Sequence, residues 1–233
     1  MKITSVKTSL FHEGDDLFEF ITAHIPRFAE KSILVITSKI VALSQGRVVD
    51  PREISFDDLI KKESEWAIPT KYCYLTLKEG MIAPNAGIDK SNAAGKWILW
   101  PKDSYGVAND LRQRLRRHYK IKKLGVLITD SRVLPLRKGI TGVALGYAGF
   151  KGLRNYVGKG DLFGRKLKMS RTNVADSLAV AAVLLMGEAD EQTPLAMIEE
   201  APAEFTAAKI KRNALKINPA VDLYRPLFER FLK

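Results

Sequence analysis

The hydrophobic pattern of the N-terminal third changes its period several times. Alternation in KITSVKTSLF (residues 2–11) predicts a strand, and the wider spacing of apolar residues in DDLFEFITAHI (residues 15–25) predicts a helix. The apolar run in SILVITSKIVALSQGRVVD (residues 32–50) predicts a strand that passes into a turn at Gly46. Helical and strand patterns therefore alternate from the start of the chain.

The same mixture continues to about residue 190. Residues 71–101 are rich in strand patterns, residues 106–120 predict an amphipathic helix, and KLGVLITD predicts a buried strand that ends at Asp130. VADSLAVAAVLLMG predicts a helix that Thr172 or Asn173 would cap. The fold class is therefore α+β (mixed α/β), with an N-terminal and a central lobe, and residues 201–233 predict a helical tail.

Composition narrows the class of protein. The chain has 233 residues, 46% of them hydrophobic, which is enough for a substantial core. Cys73 is the only cysteine, so an internal disulfide is excluded. The longest apolar run falls short of the roughly 20 residues that a membrane span needs, and no signal-like start is present. We expect a soluble, cytoplasmic protein with no membrane contact.

The formal net charge of +12 favours anionic partners. The densest basic run, RQRLRRHYKIKK (residues 112–123), has apolar residues at helical spacing and predicts one solvated helix face; an anion-binding patch is the alternative. Aromatic residues are not interleaved through it, so a nucleic-acid partner is disfavoured. The three histidines are scattered, and a bound metal would therefore have oxygen ligands, which suits Mg²⁺ or Mn²⁺.

Two polar stretches are candidates for such ligands. Asp130 and Ser131 follow the apolar strand GVLIT, where carboxyl ends of strands face a ligand crevice; the alternative is an Asx turn or a helix cap. PNAGIDKSN (residues 84–92) carries Asp89 and Asn92 around Gly87, and its alternative interpretation is a polar turn between strands.

Two further segments follow. Residues 146–168 alternate six glycines with cations, of which Arg154, Lys159 and Arg165 are candidates for binding substrate phosphates or carboxylates; a run of tight turns is the alternative. Neither a P-loop nor a dinucleotide fingerprint is present. In LLMGEADEQTP, Gly187 predicts a helix C-cap, and Glu188 is either a further metal ligand or part of a solvated loop.

Taken together and in order, these motifs resemble a known family. ILVITSKIVALSQGRVV, NAGIDKSN, GVLITDS, GVALGYAGF, DLFGRKL and VADSLAVAAVLLMGEAD are similar to the coenzyme F420 precursor:L-glutamate ligase (F420 gamma-glutamyl ligase) family over roughly residues 1–200. The resemblance implies a GTP- and metal-dependent enzyme, with a two-lobed α+β fold and a homodimeric state. It implies that L-glutamate is joined to an acceptor carboxylate through an acyl phosphate.

The resemblance also implies roles for individual residues. Asp89 and Asp130 are the implied catalytic residues, and the implied metal ligands are Asp89, Asp130, Ser131 and Glu188. The implied nucleotide-binding positions are Thr8, Ser9, Leu10, Phe11, Ser38, Lys39, Asn92, Met186, Gly187 and Glu188, with the loop continuing to Thr193.

Two departures from the sequence that is usual in the family affect the prediction of the substrates. In ALSQGR, Leu43 stands where the family usually carries a nucleotide-contacting lysine, for which Lys39 is a possible substitute, and the usual sequence after Asp130 is replaced by DSRVLPLR. These variants resemble a bacterial branch proposed to act in folate metabolism. The resemblance therefore implies an acceptor of folate or coenzyme F420 type, with another carboxylate-bearing metabolite as the alternative, and GTP or ATP as the nucleotide. A non-catalytic, basic nucleotide-binding or nucleic-acid-binding protein on the same fold is the alternative.

Overall fold

A computed structural model describes residues 1–229 of the chain. Its strands are β1 (Lys2–Val6), β2 (Ser32–Thr37), β3 (Val48–Val49), β4 (Trp66–Pro69), β5 (Tyr74–Lys78), β6 (Met81–Pro84), β7 (Trp97–Ile98), β8 (Leu124–Val133), β9 (Ile140–Ala148), β10 (Leu153–Asn155), β11 (Arg171–Asn173) and β12 (Leu195–Glu199). Its helices are α1 (Leu17–His24), α2 (Ser38–Ser44), α3 (Phe56–Glu63), α4 (Ser104–His118), α5 (Val174–Met186) and α6 (Arg225–Phe228), with 3-10 turns at Asn85–Gly87 and Pro219–Val221. The expected α+β class is confirmed.

The chain divides into two compact units. Unit 1 comprises Met1–Val48 and Pro101–Arg212, and unit 2 comprises Val49–Trp100 and Asn213–Lys233, the latter described as far as residue 229. Within residues 1–229, no helix combines the length and apolarity needed to span a membrane.

Unit 1 is built on a five-stranded sheet in the order β1-β12-β2-β8-β9. Strands β2 and β8 are parallel, and the other neighbours are antiparallel. Residues 33–36 of β2 and 126–128 of β8 are completely buried. Strands covered on both faces show continuous apolar runs rather than alternation, which explains the sequences ILVI and VLI.

One row of register partners fixes which loops share an edge of this sheet. Val6 pairs with Leu195, Leu195 with Ile36, and Ile36 with Ile128. The chain leaves β1 and β2, and enters β12, on the same side of this row. Residues 7–12, 37–39, 129–131 and 187–194 therefore lie along one edge, which we call the polar edge.

Helix α2 corrects the sequence prediction. The strand predicted to run on toward Gly46 ends at Thr37, and a helix covers Ser38–Ser44. The apolar residues Ile40, Val41 and Ala42 are all buried, and so short an apolar run does not distinguish a buried strand from a buried helix. The turn at Gly46 is confirmed, since its N–H donates to the carbonyl of Leu43.

Glycines of β9 allow helices to approach both faces of the sheet. A Cβ at Gly142 would lie 2.5 Å from the carbonyl oxygen of Ala179 in α5, and one at Gly146 would lie 2.5 Å from the carbonyl carbon of Ser104 in α4. An even spacing would normally place both on one face. A register shift beside Ile128 moves them to opposite faces. These two glycines serve close packing.

The basic run is not a single solvated face. Arg112 is buried in α4, and its guanidinium donates from Nε to the carbonyl of Leu124 (2.7 Å) and from Nη2 to the carbonyl of Thr206 (3.1 Å). Burial lowers the pKa of Arg112 from its usual value. The prediction of a solvated face holds for its exposed neighbours Arg114 and Arg117.

The C-terminal segment is mostly not helical. Within residues 201–229 the helical parts are the 3-10 turn and α6, and residues 230–233 of the predicted tail lie outside the described chain. Residues 201–210, which we call the strap, run along unit 1. In the strap, the carbonyl of Glu204 accepts a hydrogen bond from Lys151 N–H (2.8 Å), and Thr206 N–H donates to the carbonyl of Gly149 (2.9 Å). Unit 1 thus extends past the boundary expected at residue 200.

Unit 2 contains a three-stranded antiparallel sheet, β4-β5-β6, and helix α3. Ser55 caps α3 by accepting from Asp58 N–H. The hydrophobic core cluster of unit 2 contains Leu59, Ile60, Ala86, Ile88 and Leu99. The strand-rich character predicted for residues 71–101 is confirmed in β5, β6 and β7.

Candidate active site

The polar edge is where a ligand site is expected in unit 1. Carboxyl ends of neighbouring parallel strands open a crevice beyond the sheet, and the parallel pair here is β2 and β8. All the unit 1 residues predicted for metal and nucleotide binding lie in the four segments of this edge, at the end of α5, or at the start of α2. Sheet register thus brings together segments that are up to about 180 residues apart in sequence.

Ser131 and Glu188 are in direct contact. Ser131 Oγ donates to Glu188 Oε1 at 2.6 Å. Ser131 pairs with Gly142, so it lies on the face of β8 that α5 covers, and Glu188 follows directly after α5. Helix α5 is fixed at both ends as predicted: Asn173 accepts from Asp176 N–H, and Gly187, with φ 78°, is the C-cap.

Asp130 lies on the other face of the same strand. It pairs with Val143, and side chains alternate along a strand. Its Oδ1 accepts from the N–H of Ser131 at 2.9 Å. The half-buried carboxylate is therefore held in place by the main chain beside it.

The chemistry of these donors fits a hard divalent cation, because carboxylate and hydroxyl oxygens are the ligands that Mg²⁺ and Mn²⁺ prefer. Ser131 and Glu188 are already adjacent. Across residues 1–229, however, no three His, Cys, Asp or Glu side chains gather closely enough to hold a metal. The described chain thus supplies suitable oxygen atoms without a finished three-carboxylate cage.

The loop after β1 is tied to the loop after α5. Thr8 is buried, and its N–H donates to the carbonyl of Gln192 at 3.0 Å. Lys7 Nζ donates to the carbonyl of Glu191 at 2.8 Å. Two segments predicted separately to bind nucleotide are therefore neighbours. A further contact of this loop, between Ser9 and His24, was not predicted; no sequence motif marks it.

Glu191 organises the loop after α5, and it was predicted only as part of the nucleotide-binding loop that continues to Thr193. Its carboxylate lies against Gly187, where a Cβ would collide with it, and accepts from Ala189 N–H at 2.8 Å. Hydrogen bonds from its own N–H and from Ala189 lower the pKa of the Glu191 carboxyl. Backbone N–H groups of this loop thus converge on an anionic group.

Ser38 and Lys39 begin α2 at the same edge. Ser38 is buried, and Thr37 N–H before it donates to the carbonyl of Pro194 at 3.0 Å. Lys39 and Leu43 are four residues apart in α2, so they share one helix face. The missing lysine and its predicted substitute therefore project from the same side of the same helix.

In unit 2, the turn that precedes Asp89 has an unusual backbone. Asn85, Ala86 and Gly87 all have positive φ, at 48°, 55° and 69°. The fully buried Thr76 holds it, because Thr76 Oγ1 accepts from Ala86 N–H (2.8 Å) and donates to the carbonyl of Ala83 (2.6 Å). Such backbone outliers often accompany functional sites.

Asp89 itself forms the polar turn that was weighed as an alternative. Its main chain pairs with Ile98, and its Oδ1 accepts from both the N–H (2.7 Å) and the Oγ (2.8 Å) of Ser91. Asn92 follows as an exposed residue with φ 50°. Their roles as metal and nucleotide ligands remain predictions.

The three predicted substrate-binding cations lie on the exposed excursion from β10 to β11. The Arg154 guanidinium donates to the carbonyl of Pro202 in the strap, and a hydrogen bond from Arg154 lowers the pKa of Tyr156. Lys159 Nζ lies 5.2 Å from the centroid of the Tyr156 ring, and Arg165 N–H donates to Asp161 Oδ1. Tight turns account for much of this segment, and these contacts involve different partners rather than one shared point.

Comparisons with known proteins identify the family. The family model described as F420-0:gamma-glutamyl ligase matches residues 5–67 and 57–200. The chain is 33% identical to the coenzyme F420:L-glutamate ligase of Archaeoglobus fulgidus, covering 81% of this chain and 83% of the relative. It is 33% identical to that of Methanopyrus kandleri, covering 91% and 92%. Because the family model matches most of the chain, from residue 5 to residue 200, the protein belongs to the F420-0:gamma-glutamyl ligase family.

Proposed function

We propose that the protein is a nucleotide- and metal-dependent gamma-glutamyl ligase that adds L-glutamate to an acceptor carboxylate of folate or coenzyme F420 type. Family membership supports glutamate ligase activity, and the relatives' names support an amide-bond-forming ligase. The observation that carries the proposal is the convergence on the polar edge, where Ser131 contacts Glu188 and Thr8 contacts Gln192.

The proposed reaction proceeds through an acyl phosphate. An acceptor carboxylate is a poor electrophile, so its oxygen attacks the γ-phosphorus of GTP or ATP, and the nucleoside diphosphate leaves. The amine of glutamate then attacks the acyl carbon, phosphate leaves with the C–O electron pair, and the amine loses a proton. Such phosphoryl transfer requires alignment and charge neutralisation more than a protein nucleophile.

The chain's own residues would bind and orient these groups. Ser131 and Glu188 would hold Mg²⁺ or Mn²⁺ on the α5 face of β8, and Asp130 would provide a further carboxylate ligand on the other face. A bound ion would supply positive charge that neutralises the phosphate oxygens. Asp89 in unit 2 is a further proposed ligand, and Asn92 a further proposed nucleotide contact. Residues 8–11, the start of α2 and the loop after α5 would bind the nucleotide, and Arg154, Lys159 and Arg165 would attract anionic substrates.

A product-mass assay tests the proposal. The protein is incubated with L-glutamate, GTP or ATP, and Mg²⁺ or Mn²⁺, with tetrahydrofolate monoglutamate and the coenzyme F420 precursor offered separately. We expect one acceptor to gain a glutamyl unit, only when nucleotide and metal are both present. Salt-sensitive oligonucleotide binding without glutamate-dependent nucleotide turnover would instead support a non-catalytic basic module.

Lys39 is expected to replace the lysine absent at position 43. Lys39→Met should raise the nucleotide Kd about tenfold, because one charge-assisted contact to phosphate is lost. Adding Leu43→Lys in the same chain should restore most of the affinity, since the two positions share a helix face. Titration calorimetry with GTP and ATP measures both effects, and an unchanged Kd in Lys39→Met would contradict the substitution.

We further propose that the protein is a homodimer. Unit 1 exposes apolar side chains on α5, among them Leu184 (81% exposed) and Leu185, and on the β8–β9 hairpin at Val133, Leu136 and Ile140. Val133 and Ile140 pair on the face of the hairpin that α5 covers, so the exposed apolar residues of α5 and of the hairpin belong to the same side of the sheet. Surfaces of this kind usually mark protein interfaces.

The double variant Leu184→Arg/Leu136→Arg should therefore shift the protein from dimer to monomer in sedimentation equilibrium. Leu223→Arg is the matched control, because Leu223 is equally exposed in unit 2. Equal masses for the double variant and the wild type would exclude this surface as the interface.

A further inference from the structure

His24 makes hydrogen bonds through both of its ring nitrogens. It is the last residue of α1, and its Nδ1 lies 2.8 Å from the carbonyl oxygen of Phe20. Its Nε2 lies 3.1 Å from the main-chain nitrogen of Ser9 and 3.3 Å from Ser9 Oγ. The ring thus bridges a helix end and the loop that follows β1.

These partners fix which nitrogen carries the hydrogen. A carbonyl oxygen only accepts, so Nδ1 must be the donor to Phe20. A backbone N–H only donates, so Nε2 must be the acceptor from Ser9. His24 therefore donates from Nδ1 and accepts at Nε2, and the bond at each nitrogen holds the ring in the orientation that the other bond needs.

The surrounding contacts make this bridge a fixed point of the loop. The ring centroid of Phe20 lies 4.5 Å from that of His24. It lies 4.8 Å from the ring centroid of Phe11, in an edge-on arrangement. On the other side, Thr8 N–H donates to Gln192. The main chain from Thr8 to Phe11 is thus held by α1 on one side and by the loop after α5 on the other, while Leu10 between them is 63% exposed.

We propose that His24 is a positioning residue for nucleotide binding. It sets the main-chain path of Ser9–Phe11 by accepting the Ser9 N–H, and so presents this loop to the nucleotide. The inference rests on the proposed function, in which residues 8–11 contact the nucleotide. His24 itself lies behind the loop, on α1, and is not assigned a contact with the reacting atoms.

Two amide substitutions distinguish the hydrogen bond made at Nε2 of His24 from the one made at Nδ1. In His24→Gln, the amide oxygen reaches the position of Nε2 and can still accept from Ser9 N–H. In His24→Asn, the shorter amide reaches the position of Nδ1 and can still donate to Phe20, while the bond to Ser9 is lost. His118→Asn is the matched control, since His118 is the last residue of α4.

We expect His24→Asn to raise the Kd for GTP and ATP about tenfold, and His24→Gln to remain within roughly threefold of wild type. In turnover assays, the nucleotide KM should rise in His24→Asn while kcat at saturating nucleotide is unchanged, because the residue acts on binding alone. His118→Asn should match wild type in both measurements. If His24 only stabilised the fold, the nucleotide Kd would not differ in this way between His24→Gln and His24→Asn.

Amide hydrogen exchange in the wild-type protein provides a second test, which does not depend on whether a variant folds. The amide of Ser9 should exchange slowly, because it is bonded to Nε2, and fast exchange would overturn the inference. If wild-type protein binds nucleotide and His24→Asn binds it equally well, the inference is wrong and the proposed function stands. If wild-type protein binds no nucleotide at all, the proposed function fails and the inference fails with it.

Discussion

Asp130→Asn is expected to abolish most of the ligation activity and to leave the fold intact. The substitution removes the negative charge that would bind a divalent cation, and loss of even an outer partner of a metal site costs about 10- to 100-fold. We therefore expect turnover to fall at least about 100-fold. The asparagine oxygen can still accept from the N–H of Ser131, so the local structure should persist.

Turnover at several Mg²⁺ and Mn²⁺ concentrations measures this effect, with thermal unfolding to confirm the fold. Glu188→Gln should also lose turnover, because it removes a second negative charge from the proposed metal site. It should keep its fold, because the glutamine side-chain oxygen can still accept from Ser131 Oγ. Asp110→Asn is the matched control, an exposed carboxylate of α4 in the same unit. Near-normal turnover of Asp130→Asn at limiting metal would remove Asp130 from the proposed metal site.

Gly142→Ala, in β9, is expected to cause a large loss of stability. The new Cβ would lie 2.5 Å from the carbonyl oxygen of Ala179 and 2.9 Å from the nitrogen of Val180. Both are backbone atoms of α5, so relief requires the helix to move as a body rather than a side chain to rotate. Overpacking of this kind costs about 3 kcal/mol.

Thermal unfolding should show the effect as a fall in Tm of roughly 6–12 °C for a chain of this size. Gly160→Ala is the matched control, because its nearest neighbouring atoms lie 3.7 Å or more from the new Cβ. Its Tm should stay close to that of wild type. If both variants melt alike, the close approach of α5 to β9 is not what Gly142 provides.

The sequence was informative where a long periodic pattern or a terminal signal was present. Helix α4 and helix α5, with its Asn173 cap and Gly187 end, could be predicted because each spans several turns. The short helix α2 could not, since its apolar residues are buried on more than one side. Arg112 was misjudged because a basic run does not reveal which of its cations finds a carbonyl partner.

The candidate site shows the same division. Asp130, Ser131 and Glu188 could be chosen from residue type and motif order, but their geometry depends on sheet register and on the length of α5. The contact of His24 with Ser9 crosses from a helix end to a loop and follows no repeating pattern. Contacts of that kind are set by tertiary packing, which local sequence does not encode by itself.

The strap lies beyond the family match but belongs to the folded unit. The family match stops at residue 200, whereas Arg112, Gly149 and Lys151 find partners between Glu204 and Thr206. A chain truncated at residue 200 would leave the buried guanidinium of Arg112 with one of its two carbonyl acceptors missing. Boundaries for expression or domain exchange in this protein should therefore be placed beyond the strap, even though the family match ends before it.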